Sequence, residues 1–130
     1  MPSRIAVIAI DAVHPRLIAH FWCNVLGWHV VEEDDGGVSI ASPDGAWPTI
    51  DVFGVAEGKA VKNRLHLDLY PTGRDDALPL DRRIEIVEAK VAELVGLGAS
   101  VERRTRHDDP EDPIYYAVMH DPEGNEFCVS

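Results

Sequence analysis

Apolar and polar residues alternate through Arg64-Leu65-His66-Leu67-Asp68-Leu69, which predicts a strand over Arg64 to Tyr70. The leucines form one face; Arg64, His66 and Asp68 form the other. Such a polar face suits a solvent-facing strand or the wall of a binding cavity, and the pattern alone does not choose between them. Upstream, Arg4 to Ile10 is an apolar run too brief for a helix and well sized for a buried strand. His14-Pro15 opens a helix, since proline is comfortable in a first turn, and Leu17, Ile18, Phe21, Trp22, Val25 and Leu26 follow at helical spacing until Gly27. Three strand-like pieces come next, Trp28 to Glu33, Gly37 to Ala41 and Thr49 to Phe53. Asp34-Asp35-Gly36-Gly37 and Ser42-Pro43-Asp44-Gly45 punctuate them as turns.

The second half repeats this order. After the Arg64 strand, Pro71 to Pro79 reads as a loop, and Asp81 is placed to cap a helix with apolar positions Ile84, Val87, Val91 and Leu94. Gly98 ends it. Strands are predicted at Ser100 to Arg104, Ile114 to His120 and Glu126 to Val129, the first two separated by the charged loop Thr105 to Pro113. Leu26-Gly27 matches Leu97-Gly98, and Pro43-Asp44-Gly45 matches Pro122-Glu123-Gly124. Several matches in one order argue for an internal duplication. The chain is therefore expected to be one α+β domain, residues 1–130, made of two tandem βαβββ modules spanning 4–55 and 63–129.

Composition narrows the partners. A chain of 130 residues, 45% hydrophobic and 27% charged, is large enough for a packed core without staples. Its formal net charge of −11 disfavours a phosphate backbone, so nucleic acid is not expected as a partner. No apolar run is long enough to span a bilayer and no signal-peptide architecture follows Met1, so a cytoplasmic location without a membrane partner is expected. Cys23 and Cys128 show no C-x-x-C spacing and are expected as free thiols.

Candidate chemistry centres on the polar face of the Arg64 strand. His66 and Asp68 are i, i+2 neighbours, so a carboxylate can fix the imidazole tautomer for acid–base work, or Asp68 can instead pair with Arg64. Asp51 and Phe53 share a face of the Thr49 strand, and Trp47 lies in a turn with no obvious face to bury. It can stack on a planar ligand or fill a dimer contact. There is no glycine-rich phosphate loop, no nucleophile elbow and no H-E-x-x-H. His107-Asp108-Asp109-Pro110-Glu111-Asp112 lacks the spacing and glycine of an EF-hand.

Asp121-Pro122-Glu123-Gly124-Asn125 before a terminal strand, the Phe21-Trp22…Leu26-Gly27 helix end and the paired modules resemble the vicinal oxygen chelate superfamily, which includes glyoxalase I, extradiol dioxygenases and bleomycin-resistance proteins. Asn63-Arg64-Leu65-His66-Leu67-Asp68-Leu69 with Asn125-Glu126-Phe127-Cys128 resembles its glyoxalase-like branch. The resemblance implies two curved half-barrels around a cavity lined by Arg64, His66, Asp68, Asp51 and Cys128. It also implies metal ligands on the first and last strand of each module, which carry over to His66 and Cys128 and to about Ile5 and Asp51. Ile5 has no donor atom, and Cys128 stands where a Glu is usual. Glu126 shares a face with Cys128, displaced by about 7 Å. A metal, if present, would use His66, Asp51 and Cys128 or Glu126; the depleted set makes a metal-free site the expectation.

Two functions follow from the resemblance. One is a metal-independent lyase or isomerase on a small carbonyl-bearing or aromatic metabolite, with His66 and Asp68 catalytic and Arg64, Asp51, Phe53, Trp47, Glu126 and Cys128 around the ligand. The other is a non-catalytic, ligand-sequestering protein of the bleomycin-resistance type. Either is expected as a homodimer.

Overall fold

The computed structural model describes residues 1–130, and the chain divides into two compact units, Met1–Ala60 and Val61–Ser130. The first unit contains β1 (Val7–Ala12), α1 (Pro15–Leu26), β2 (His29–Asp34), β3 (Gly37–Ala41) and β4 (Thr49–Gly54). In the second are β5 (Leu67–Leu69), α2 (Leu80–Gly96), β6 (Ser100–His107), β7 (Ile114–His120) and β8 (Glu126–Val129). Each unit is thus a βαβββ module, and the fold is α+β with two helices and two four-stranded sheets.

The sheets are ordered β1-β4-β3-β2 and β5-β8-β7-β6, so each module's first strand joins its last. Those first-to-last pairings are parallel and the others antiparallel. The cause is sequence alternation: opposite residues share a face, so apolar rows stack across strands. In the first unit Ile50 is opposite both Ile8 and Ile40, and Val52 is opposite both Ile10 and Val38. This row buries Ile40, Ile50 and Val52, while α1 buries Ile18, Ala19, Phe21 and Trp22. Phe21 and Trp22 meet edge to face at 5.2 Å. Across the second unit, Phe127 is opposite Leu67 and Met119, and Val129 is opposite Leu69 and Ala117. Val87, Val91 and Leu94 of α2 are buried with them.

Turns are set by residues with special backbone needs. Gly27, at φ 68°, ends α1 in the left-handed region and donates its N–H to the Cys23 carbonyl. Gly37 is required by space: a Cβ there would sit 2.0 Å from the Val52 carbonyl oxygen.

Several boundaries differ from the expectation. Strand β1 begins at Val7 and not Arg4, and β5 is only three residues, because Arg64 and Leu65 form a bend. Leu65 is accordingly 88% exposed, outside the apolar row that its spacing suggested. Leu17 is 49% exposed and stands off the helix–sheet contact that Ile18, Phe21 and Trp22 make. Helix α2 starts at Leu80 with Pro79 at its N-cap, which leaves Asp81 in the first turn instead of at the cap. There its carboxylate favours the positive end of the helix dipole. Strand β6 runs on to His107, shortening the predicted charged loop.

Candidate functional site

The face of the second sheet opposite the apolar row carries the candidate chemistry. Asp68 on β5 is directly opposite Cys128 on β8, which is opposite Val118 on β7. His66 immediately precedes β5, and its Nδ1 lies 2.7 Å from Asp68 Oδ1. The two side chains are 41% and 43% exposed. His66, Asp68 and Cys128 place one nitrogen, one oxygen and one sulfur within 4.8 Å of one another. Burial pushes the Cys128 thiol up from its ordinary value, and the Asp68 charge and hydrogen bond push it further the same way. Arg103 and Lys62 pull more weakly in the opposite direction. The thiol is therefore held protonated, a hydrogen-bond partner to Asp68 and a poor nucleophile.

The other residues named from the sequence fall elsewhere. Glu126, 8% exposed, accepts the Asn63 backbone N–H at 2.9 Å, and Asn63 Nδ2 reaches the Glu126 carbonyl at 3.4 Å. Its carboxylate thus fastens the segment that leads into β5. Arg64 is exposed in the bend before β5. In the first unit, Asp51 lies opposite Ala9 and Ser39, and Phe53, 46% exposed, lies opposite Asp11 and Gly37. Trp47 is 53% exposed, and the Arg4 guanidinium sits over its ring at 4.9 Å.

Strand register also corrects one carried-over position. His66 stands two residues before the partner of Cys128; the same offset from Ala9, the partner of Asp51, is Val7 and not Ile5. Val7 has no donor atom either. Asp68 joins the cluster of His66 and Cys128 although the carried-over metal positions did not include it, and its alternation with His66 was the available signal.

The glyoxalase-like domain profile matches residues 7–130. The chain belongs to the glyoxalase-like family. Solved structures share the chain's fold at low identity. A glyoxalase/bleomycin resistance protein/dioxygenase family enzyme from Burkholderia phytofirmans PsJN is similar over 98% of this chain and 97% of its own, with TM-score 0.68 and 16% identity. Lactoylglutathione lyase from Agrobacterium tumefaciens is 21% identical, covering 99% and 93% of the two chains at TM-score 0.56. The fosfomycin resistance protein FosX from Listeria monocytogenes, solved with Mn(II) and dihydroxypropylphosphonic acid, covers 99% and 89% at TM-score 0.67 and 8% identity. No curated protein sequence matches the chain.

Superfamily members often use metals, so the glyoxalase-like chain's donors can be tested against one. A hard cation of the Mn(II) class prefers an oxygen-rich shell. His66, Asp68 and Cys128 offer a single carboxylate beside an imidazole and a thiol, which does not make such a shell.

Proposed function

We propose that this glyoxalase-like protein is a metal-independent lyase or isomerase acting on a small carbonyl-bearing or aromatic metabolite. The observation that carries the reading is the 2.7 Å contact between His66 Nδ1 and Asp68 Oδ1. A carboxylate on Nδ1 holds the proton there and leaves the Nε2 lone pair toward the ligand. Nε2 takes a proton from the carbon next to the carbonyl, and the electron pair moves into the carbonyl oxygen. On a metabolite with a hydroxyl on that first carbon, returning the proton to the former carbonyl carbon while the hydroxyl proton passes to the other oxygen completes an isomerisation, with no oxidant or reductant involved. Arg64 is assigned to the developing oxygen charge.

The exposure of the dyad, 41% and 43%, supports a second reading in which the site binds without chemistry. A chain of net charge −11 then suits a cationic ligand. Product analysis by mass spectrometry against a panel of aldehydes, hydroxyketones and aromatic acids separates the two. For an isomerase, His66→Ala abolishes turnover with ligand affinity kept within about tenfold, because an acid–base group acts mainly in the transition state. Binding with no turnover by the wild type would overturn the catalytic reading.

A further inference from the structure

Strand β6 carries three arginines, and their partners differ. Arg104 reaches Glu88 and Arg106 reaches Asp108, each at 2.7 Å. Arg103 has a longer contact, 3.4 Å from its guanidinium to the neighbouring Glu102, and its side chain is 53% exposed. An exposed pair of that kind is worth little, so the planar guanidinium keeps its capacity for another carboxylate. A bulge explains where Arg103 stands. The β6–β7 register steps between Val101 and Arg103, with Val101 opposite Met119 and Arg103 opposite Val118. In an unbroken ladder Glu102 would be opposite Val118, and Arg103 would be opposite Ala117 on the helix side of the sheet. The extra residue moves Arg104 to that side, where Glu88 of α2 takes it, and turns Arg103 to the other.

Arg103, Val118, Cys128 and Asp68 are therefore successive partners across β6, β7, β8 and β5, one row on one face. At about 4.8 Å per strand the row spans roughly 14 Å from end to end. Val118, 5% exposed, makes an apolar floor between the thiol and the guanidinium. The Arg103 charge acts on the Cys128 thiol, opposing its upward shift, so the guanidinium leans toward the site. The first unit has the same step in β2, between Val30 and Glu32, and its matching row is Ala9, Asp51, Ser39 and Glu32. That row holds two carboxylates and no cationic side chain. The bulge thus belongs to both modules, whereas the guanidinium belongs to the second alone.

We propose that Arg103 determines specificity by holding the carboxylate of a substrate that lies along this row, its hydroxycarbonyl end at His66 and its acid end at Arg103. The substrate class is a hydroxy-oxo acid whose carboxylate is remote from the reacting carbon. The placing of the hydroxycarbonyl end rests on the isomerase reading above; the carboxylate anchor does not. Glu102 occupies the guanidinium until the ligand arrives. His120 Nε2, buried without a hydrogen bond 3.9 Å from Glu102 Oε2, offers the displaced carboxylate a donor.

Calorimetric titration of the full chain with two acids tests the anchor: hydroxylevulinate, hydroxylated at its terminal carbon, and phenacyl alcohol carrying a para carboxylate, each beside its methyl ester. The wild type should bind at least one acid at least about tenfold more tightly than its ester, as a charge-assisted pair with a carboxylate supplies. Arg103→Gln should remove that preference by weakening the acid alone. Arg103→Lys should restore part of it, since the charge survives and the planar fork does not. Glu102→Gln should leave acid binding unchanged or tighter. Equal affinity for acid and ester in the wild type, failure of both acids to bind, or an acid preference that persists in Arg103→Gln would overturn the assignment. So would a loss of acid and ester binding together in Arg103→Gln, which is what a merely structural role gives. Product analysis on the same compounds keeps the two readings apart. Acid-selective binding that depends on Arg103, with no rearranged product, sustains the anchor and removes the isomerase reading. Rearrangement of the esters as fast as the acids sustains the isomerase reading and removes the anchor.

Discussion

The Asp121 carboxylate, 3% exposed, accepts the backbone N–H groups of Glu123 and Asn125 at 2.9 and 3.0 Å and the Asn125 amide at 2.8 Å. These bonds build the turn that aims β8, and hence Cys128, at β5. Hydrogen bonds to a buried charge are worth more than neutral ones, so Asp121→Ala should destabilise the fold by roughly 2–3 kcal/mol in urea unfolding. An unchanged midpoint would show that the turn holds without its carboxylate. At this scale the sequence was legible where chemistry and geometry share one signal. The alternation of His66 and Asp68 left two pairings open for Asp68, with His66 or with Arg64, and the structure shows the first at 2.7 Å, whereas Glu126 looked like a spare ligand. Its bond to the Asn63 N–H joins residues far apart in the chain, and no local pattern encodes that.

Elements were legible in kind and less so in extent. The helical spacing of Val87, Val91 and Leu94 named the buried stripe of α2, because burial of one face is what creates the period. Alternation misled at Arg64 and Leu65, since a bend can follow the same apolar–polar rhythm without any strand partner to enforce it. The whole of β2 is exposed, as the edge position in β1-β4-β3-β2 allows, and Glu32, Glu33 and Asp34 there discourage pairing with another chain. Helix α2 is tied to its sheet by Glu88, which takes Arg104 Nε and the second guanidinium nitrogen at 2.7 and 3.1 Å and the Tyr115 hydroxyl. The Arg104 hydrogen bond leads in holding the Glu88 carboxyl below its ordinary 4.5, against opposing desolvation. A depressed carboxylate stabilises the fold above its unfolded value, and that stability goes as pH falls through the folded value. With Glu88 about a third exposed, solvent screening keeps the contribution under about 1 kcal/mol. Glu88→Gln should therefore lower the thermal midpoint slightly at neutral pH, and the difference from wild type should vanish on acidification below the carboxylate range. A difference that persisted in acid would assign the effect to shape and not charge.

Across the whole molecule, duplication was readable because punctuation and elements repeat in the same order, and both modules share first-to-last parallel pairing. No helix is long and apolar enough to cross a membrane. We propose that the chain works as a homodimer, supported by Val7 and Phe53, each 46% exposed on one face of the first sheet. Light scattering on the eluting protein should give twice the 14.4 kDa chain mass, and a monomer mass at every concentration would rule the pairing out. Strand β8 lies between β5 and β7, and it carries Cys128. During synthesis on the ribosome, β5 emerges with no partner and must wait while α2, β6 and β7 are made. The strand it needs follows all three in the chain. His66 and Asp68 thus leave the exit tunnel well before the thiol that completes their cluster. A nascent chain stalled before β8 would carry both His66 and Asp68 and still lack Cys128 beside them.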